Sequence, residues 1–193
     1  LIFGIDHVVI GVRAIDAGVY TYERLLGRLV THRYERDGVA TALIALPGFA
    51  VEIMAPAGAG ETATRLGAAL ERDGEGLKSI VFAVSDIQRA HARAVRVGLE
   101  PDDVSDGVAD HMRWRRFRAN GARVLGLRVF FIEREAPLQL SAESDVQGLD
   151  HIVIRARDME QAAALFGARL GLDMRLDRTI AWRRLMFFRC GGA

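Results

Sequence analysis

Residues 4–12 read Gly-Ile-Asp-His-Val-Val-Ile-Gly-Val, and two related stretches follow. Residues 76–84 read Gly-Leu-Lys-Ser-Ile-Val-Phe-Ala-Val, and residues 148–156 read Gly-Leu-Asp-His-Ile-Val-Ile-Arg-Ala. The copies start at positions 4, 76 and 148, so both intervals are 72 residues. A fixed period of this length indicates one supersecondary unit that the chain uses repeatedly.

The same register compares side chains between the copies. His7 and His151 occupy the same position of the repeat, and Ser79 stands there in the middle copy. Imidazole is the side chain best suited to acid–base and metal chemistry near neutral pH. The first and third copies therefore carry a candidate functional residue that the second copy lacks.

Composition indicates an ordinary globular protein. The chain has 193 residues, of which 50% are hydrophobic and 26% are charged, and it is long enough for one or two domains. A net charge of +1 gives no reason to expect nucleic acid as a partner. The single Cys190 favours a reducing compartment, and no signal-peptide pattern follows Leu1, so we expect a cytoplasmic protein.

An apolar stretch at residues 38–60 approaches the length of a membrane span. Pro47 and Gly48 lie near its centre and Glu52 follows, which would break a helix and place a charge in lipid. Two buried strands at 40–46 and 49–55, joined by a turn, explain the stretch better. We therefore predict no membrane span.

Each copy opens with a run of β-forming residues that is followed by a helix. Asp86 and Asp158 stand at the expected N-cap of the second and third helices, and Leu-Gly pairs at 26–27 and 170–171 end the first and third helices. Extended runs then occur at 28–34, 112–118 and 127–133, besides the two strands of the apolar stretch. The repeating unit is predicted to be β-α-β-β-β.

This unit and its opening sequence resemble the vicinal oxygen chelate superfamily, which includes glyoxalase I, extradiol dioxygenases and the bleomycin resistance proteins. The resemblance rests on the motifs at 6–10, 22–27, 51–53 and 150–154. A closer similarity is to the glyoxalase-like domain family, through Asp106-Gly107, the run 113–115 and the run 130–133. Val129 and Arg134 depart from the usual final motif of that family.

The resemblance implies an α+β fold in which paired modules form a curved mixed sheet, a cup, with helices outside. We expect a glyoxalase-like domain at 1–140, made of modules 4–75 and 76–140, and an incomplete third module at 148–193. The third module ends where the first has Phe49, before the strand that carries Glu52. We expect it to pack against a second chain, as in a homodimer, or against residues outside this sequence.

In that superfamily, residues from the first and fourth strands of each module hold a divalent metal, here Fe, Zn, Mn or Ni. Carried over by motif, the metal ligands are His7 and Glu52 in module one, and His151 in module three. Ser79 replaces the first-strand His of module two. At the fourth strand of that module the nearest positions are Phe130 and Phe131, with Glu133 displaced towards the strand end.

Structural explanations stand beside these roles. Either His can be a hydrogen-bonded core residue, and Glu52 can pair with an Arg. Trp114, Arg113 and Arg115, with Ser79, are candidate substrate-binding residues, because guanidinium groups pair with anions. Alternating Arg residues in this run are equally typical of a solvated strand face.

Two main functions follow from the resemblance, and a third interpretation treats modules one and two as a structural half that supports chemistry outside this sequence. The first is a metal-dependent enzyme, a lyase, isomerase or dioxygenase, that acts on a small oxygen-rich substrate with Glu52 as a catalytic carboxylate. The second is a metal-free protein of the bleomycin-resistance type that binds a small molecule in its cup. Loss of the His in module two favours the second function for the cup of modules one and two.

Overall fold

The opening strands of the first two copies pair at the centre of the fold. In this computed structural model, which describes residues 1–109, 111–141 and 143–191, strand β1 (Ile2–Gly11) runs antiparallel to β5 (Gly76–Val84). Val8 lies opposite Ile80, its own equivalent one repeat later. The pairing therefore relates the two modules by an approximate two-fold axis.

Six further strands complete a mixed eight-stranded sheet in the order β2-β3-β4-β1-β5-β8-β7-β6. They are β2 (His32–Arg36), β3 (Val39–Leu46), β4 (Phe49–Pro56), β6 (Ser105–Ala109), β7 (Met112–Arg118) and β8 (Val129–Arg134). β4 joins β1, and β8 joins β5, in parallel. This confirms the paired-module cup and the apolar hairpin of β3 and β4.

Helices α1 (Ile15–Leu26) and α3 (Ile87–Arg96) follow the opening strands and pack on the convex, outer face of the sheet. Asp86 accepts a hydrogen bond from Arg89 N at 2.9 Å, which confirms the predicted cap. Ala14 caps α1 with no side-chain bond, and Gly27 ends it in the left-handed conformation. The helices thus lie outside, as the sequence predicted.

The strand predicted at 28–34 is shorter in the structure and begins at His32. Two backbone amides that precede the strand donate hydrogen bonds to side chains and not to a neighbouring strand. Leu29 N donates to Ser141 Oγ and Val30 N donates to Glu23 Oε1. These side-chain partners, Glu23 nearby in sequence and Ser141 far from it, bind the chain before residue 31 reaches β3.

Helix α2 (Glu61–Asp73) connects the modules and was not predicted from the sequence. Its first two amides donate to the Asp37 carboxylate, at 3.1 Å from Glu61 N and 2.7 Å from Thr62 N. Because Asp37 precedes the helix by 24 residues, the sequence next to the helix contains no capping motif. The buried side of α2, which includes Leu66, faces the edge of the concave side of the sheet.

The third copy departs from its prediction. Residues 151–154 form no strand, and a helix α4 (Met159–Ala163) continues as a π-helix (Ala164–Arg169). The π-helix packs Leu165 and Phe166 into the outer core of module two, beside α3. Both edges of β1 are already occupied, by β4 and β5, so no central position remains for a third opening strand.

The helix of this segment packs on module two of the same chain. Packing of the segment against a second chain, or against residues outside this sequence, stays a prediction. Arg169 fixes the helix to module two by donating to Val97 O at 3.0 Å and to Arg123 O at 2.8 Å. The following strands, β9 (Asp173–Ile180) and β10 (Arg183–Arg189), form a separate two-stranded hairpin. Residues 192–193 of the predicted module lie outside the described residues.

Within the part of the chain that the structure describes, no helix is long and apolar enough to cross a membrane. This agrees with the interpretation of residues 38–60 as a hairpin.

Replacing the cap of α3 tests how far local sequence stabilises this fold. Asp86→Ala removes the acceptor for Arg89 N and should lower the free energy of unfolding by about 1 kcal/mol. Asp86→Asn keeps an acceptor and should stay within a few tenths of a kcal/mol of the wild type. Urea denaturation followed by circular dichroism measures both, and equal losses in the two variants would contradict a capping role.

Candidate functional site

The concave face of the sheet lines a cavity of about 520 Å³ that is open to solvent. Alternation along the strands turns His7 and Val9 of β1, and Glu52 and Met54 of β4, towards this cavity. Val9 lies beside Glu52 in the parallel pair, so the His and the carboxylate occupy neighbouring strands. The predicted convergence of His7 and Glu52 is confirmed, whereas their chemical roles are not tested by position alone.

The two side chains approach each other closely. His7 Nε2 lies 3.4 Å from Glu52 Oε2, and the other ring nitrogen, Nδ1, lies 2.5 Å from Asp6 Oδ1. Both side chains are nearly inaccessible to solvent, with 8% of His7 and 14% of Glu52 exposed. The imidazole is thus held between two carboxylates inside the cup.

Asp6 is held in turn from module two. Arg134, at the end of β8, donates from Nε and Nη2 to both oxygens of the Asp6 carboxylate, at 2.7 to 3.0 Å. A forked, charge-assisted pair of this kind fixes orientation as well as charge. Arg134, which breaks the usual family motif, therefore orients the His7 ring through Asp6.

These contacts determine the charge state of the cluster. Burial alone would lower the pKa of His7, but its hydrogen bonds to Asp6 and Glu52 outweigh burial and raise that pKa to about 9. Burial opposes ionisation of the two carboxyls, yet His7 lowers the pKa of Glu52, and His7 with Arg134 lowers that of Asp6 to about 2. At neutral pH the cluster contains an imidazolium and two carboxylates.

Tyr34 is a site residue that sequence reasoning missed. Its hydroxyl donates to Glu52 Oε1 at 2.9 Å, so each oxygen of the carboxylate has a defined neighbour. Burial and the charge of Glu52 raise the pKa of Tyr34, which keeps the phenol protonated and able to donate. Tyr34 belongs to the partly exposed strand β2, where alternation of apolar residues gives little signal.

Module two supplies no matching pair. Ser79 is buried and faces the cavity at the position equivalent to His7. Strand register places Phe130 beside Val81 as Glu52 lies beside Val9, so Phe130 is the equivalent of Glu52. Glu133 lies further along β8 and instead accepts from Ile87 N at 3.1 Å and from Arg115 at 2.7 Å.

The predicted substrate-binding residues of strand β7 lie on two opposite faces of the strand. Trp114 lines the cavity, together with Arg116 and Arg118. Arg113 and Arg115 alternate to the opposite side of the strand and are absent from the described cavity lining. The arginines that reach the cavity are therefore the neighbours of the predicted ones.

His151 is not part of this cavity. Its side chain is 60% exposed and bonds Asp150 at 2.6 Å, in the irregular segment before α4. Without the predicted strand, no sheet directs it towards His7 or Glu52. The structure thus gives no support to His151 as a ligand in this cup.

The side chains of this cluster can be compared with the ligands that a bound metal ion requires. Asp6 bonded to the far nitrogen of His7 resembles the outer partner of a metal-binding His, and His7 with Glu52 supplies two ligands. Catalytic zinc sites typically use three protein ligands, and the equivalent positions in module two are Ser79 and Phe130. Among the described residues no group of three or more His, Cys, Asp or Glu could hold a metal ion. The residues do not fit a resident ion.

Comparison with known proteins identifies the family to which this chain belongs. The model of the glyoxalase-like domain family matches residues 5–147, so the chain belongs to that family. No curated protein matches the chain.

Solved structures with a similar fold include methylmalonyl-CoA epimerases. A variant of the Streptomyces coelicolor enzyme, in complex with 2-nitronate-propionyl-CoA, is 21% identical with a TM-score of 0.61, over 70% of this chain and 100% of that chain. The Mycobacterium tuberculosis enzyme is 24% identical with a TM-score of 0.60, over 71% of this chain and 91% of that chain. At these identities the likeness establishes the fold alone.

The position of Trp114 depends on the absence of a side chain at Gly107, its cross-strand partner. A Cβ at Gly107 would lie 2.2 Å from the indole, so Gly107→Ala should displace Trp114 and cost about 1–3 kcal/mol of stability. In a Trp182→Phe background, the fluorescence of Trp114 should change. Gly67→Ala, whose added Cβ meets nothing within 4 Å, is the matched control, and an unchanged Trp114 emission in Gly107→Ala would contradict this packing.

Metal content tests the donor set directly. Because the cup offers two metal-binding side chains, His7 and Glu52, the purified and dialysed protein should retain far less than one divalent ion per chain. Elemental analysis by mass spectrometry measures this, with His7→Ala as the comparison. One tightly held ion per wild-type chain, lost in His7→Ala, would show that the cup is a metal site.

Proposed function

We propose that this member of the glyoxalase-like domain family is an isomerase-type enzyme that moves a proton at a carbon next to a carbonyl group. The substrate would be an anionic small molecule, and Glu52 would accept the proton. The supporting observation is the Glu52 carboxylate, buried in the cup with one oxygen bonded by Tyr34 and the other facing His7.

Glu52 has the features that a general base requires. It lines the cavity, and its lowered pKa keeps it ionised at neutral pH. A lowered pKa also makes it a weaker base, so the negative charge that develops on the substrate needs stabilisation. The proposal therefore requires cationic groups beside the carbonyl oxygen.

Two cations are placed to supply that stabilisation. His7, with its raised pKa, lines the cavity with Nε2 at 3.4 Å from Glu52 Oε2, and Arg116 lines the wall above the Phe130 ring. As the C–H bond breaks, the proton goes to Glu52 and the electron pair moves to the carbonyl oxygen. Delivery of a proton from water to the opposite face of that carbon completes an epimerisation without a change in oxidation state, whereas return from Glu52 to the same face regenerates the substrate. The similar epimerase structures make CoA thioesters reasonable first compounds to assay.

A small-molecule binding protein is the second candidate. Phe130 and Trp114 give the module-two wall of the cavity an aromatic surface, which suits binding of a flat or aromatic molecule. The assay below separates the two candidates, because a binding protein would retain its ligand without exchanging a proton.

Replacing Glu52 tests the proposal. The wild type, incubated in D2O with racemic methylmalonyl-CoA and a panel of other CoA thioesters and 2-oxo acids, should exchange the carbon-bound proton of at least one compound. Glu52→Gln keeps the shape but removes the charge, and should lower that exchange by about 10²- to 10⁴-fold. Proton NMR follows the exchange.

Tyr34→Phe provides the comparison. It removes a hydrogen bond to Glu52 while leaving the carboxylate, so exchange should fall less than in Glu52→Gln. Equal exchange in the wild type and Glu52→Gln, with both correctly folded, would show that Glu52 is not the base. Ligand binding with no exchange of any compound would favour the binding protein.

A further inference from the structure

Three arginines line the cavity near the start of β8, and a fourth, Arg72, is close enough for its charge to act on one of them. Arg65 and Arg72 lie two turns apart on the same side of α2, Arg118 ends β7, and Arg128 immediately precedes β8. Arg65, Arg118 and Arg128 line the cavity, and a recess of about 210 Å³ continues past Arg118 and Arg128. We call these four residues the arginine cluster.

Arg128 lies at the centre of the cluster. It is partly buried, and no carboxylate of the described residues lies within salt-bridge distance of it. Burial lowers the pKa of Arg128, and the charges of Arg118, Arg65 and Arg72 lower it further. A cation partly withdrawn from water beside three other cations is unfavourable unless an anion is bound.

The other three arginines have partners that an anion could replace. Arg65 pairs with Glu61, Arg72 with Asp73 and Arg118 with Asp102, and these carboxylates are about half exposed or more. Exposed pairs of this kind contribute little to stability. In addition, Arg118 Nε is buried and has no hydrogen-bond partner among the described residues, although Asp102 Oδ2 is 3.2 Å away.

We propose that the arginine cluster binds a phosphate group of the ligand whose reactive end reaches Glu52. Several guanidinium groups facing one space suit a multiply charged anion with several acceptor oxygens, whereas a single carboxylate would need one fork. The phosphate belongs to an organic ester, because the same molecule has to bring a carbon-bound proton to Glu52. This inference rests on the proposed function for the position of the ligand's reactive end.

Titration calorimetry at fixed salt, with inorganic diphosphate, ADP and adenosine as probes, tests the cluster. The wild type should bind diphosphate and ADP but not adenosine. Arg128→Gln should weaken both interactions about tenfold or more, the loss expected for one charge-assisted hydrogen bond. Arg183→Gln removes the same charge from the exposed β10 strand and should bind as the wild type does.

Each other outcome has a definite meaning. Weakening of ADP by Arg128→Gln, with or without weakening of diphosphate, supports a site for a phosphate ester. Weakening of diphosphate alone would indicate a site for free phosphate and would overturn the inference. Failure of both to bind, equal binding in Arg128→Gln, equal weakening in Arg183→Gln, or binding of adenosine as tight as that of ADP would overturn the inference. Glu52→Gln should bind the probes normally, so loss of proton exchange and loss of phosphate binding are separate failures.

Discussion

The antiparallel pairing of β1 with β5 is the constraint on which the rest of the structure depends. Val8 faces its own equivalent, Ile80, and β2–β4 and α1 of module one have counterparts in β6–β8 and α3 of module two, whereas the connecting helix α2 has none among the described residues of module two. The outward side chains of both strands bury under helices, and the inward ones form the floor of the cavity. Burial of this central pair therefore fixes the two-fold arrangement and the position of the cup together.

The symmetry holds for the backbone but not for the chemistry. Across the axis, Ser79 is the equivalent of His7 and Phe130 is the equivalent of Glu52, so the His–carboxylate pair lies in one half of the cup, and the other half carries Trp114, Phe130 and the arginines of β7. Repeated folds allow this because the backbone pairing makes no demand on the inward side chains. The two walls of the one cavity therefore differ in chemistry.

The charged half is stable because its charges compensate one another across the modules. Asp6 and His7 belong to β1 and Glu52 to β4, whereas Arg134 comes from β8. Burial of any one of these charges alone would be costly, and the forked Arg134–Asp6 pair offsets that cost while orienting the imidazole. The site is consequently a product of both modules, although its reactive groups lie in one.

The repeat, the β-α-β-β-β order, the cap at Asp86 and the convergence of His7 with Glu52 were all predictable from the amino-acid sequence. These are properties of spacing and local hydrogen bonding, which a linear pattern carries. Features that depend on pairing between distant strands became visible in the folded chain. Register identified Phe130 as the equivalent of Glu52, brought Tyr34 and Arg134 to the cluster, and left residues 151–154 without a strand because the edges of β1 were already taken. Such partners are set by which edges remain free, and no local stretch of sequence encodes that.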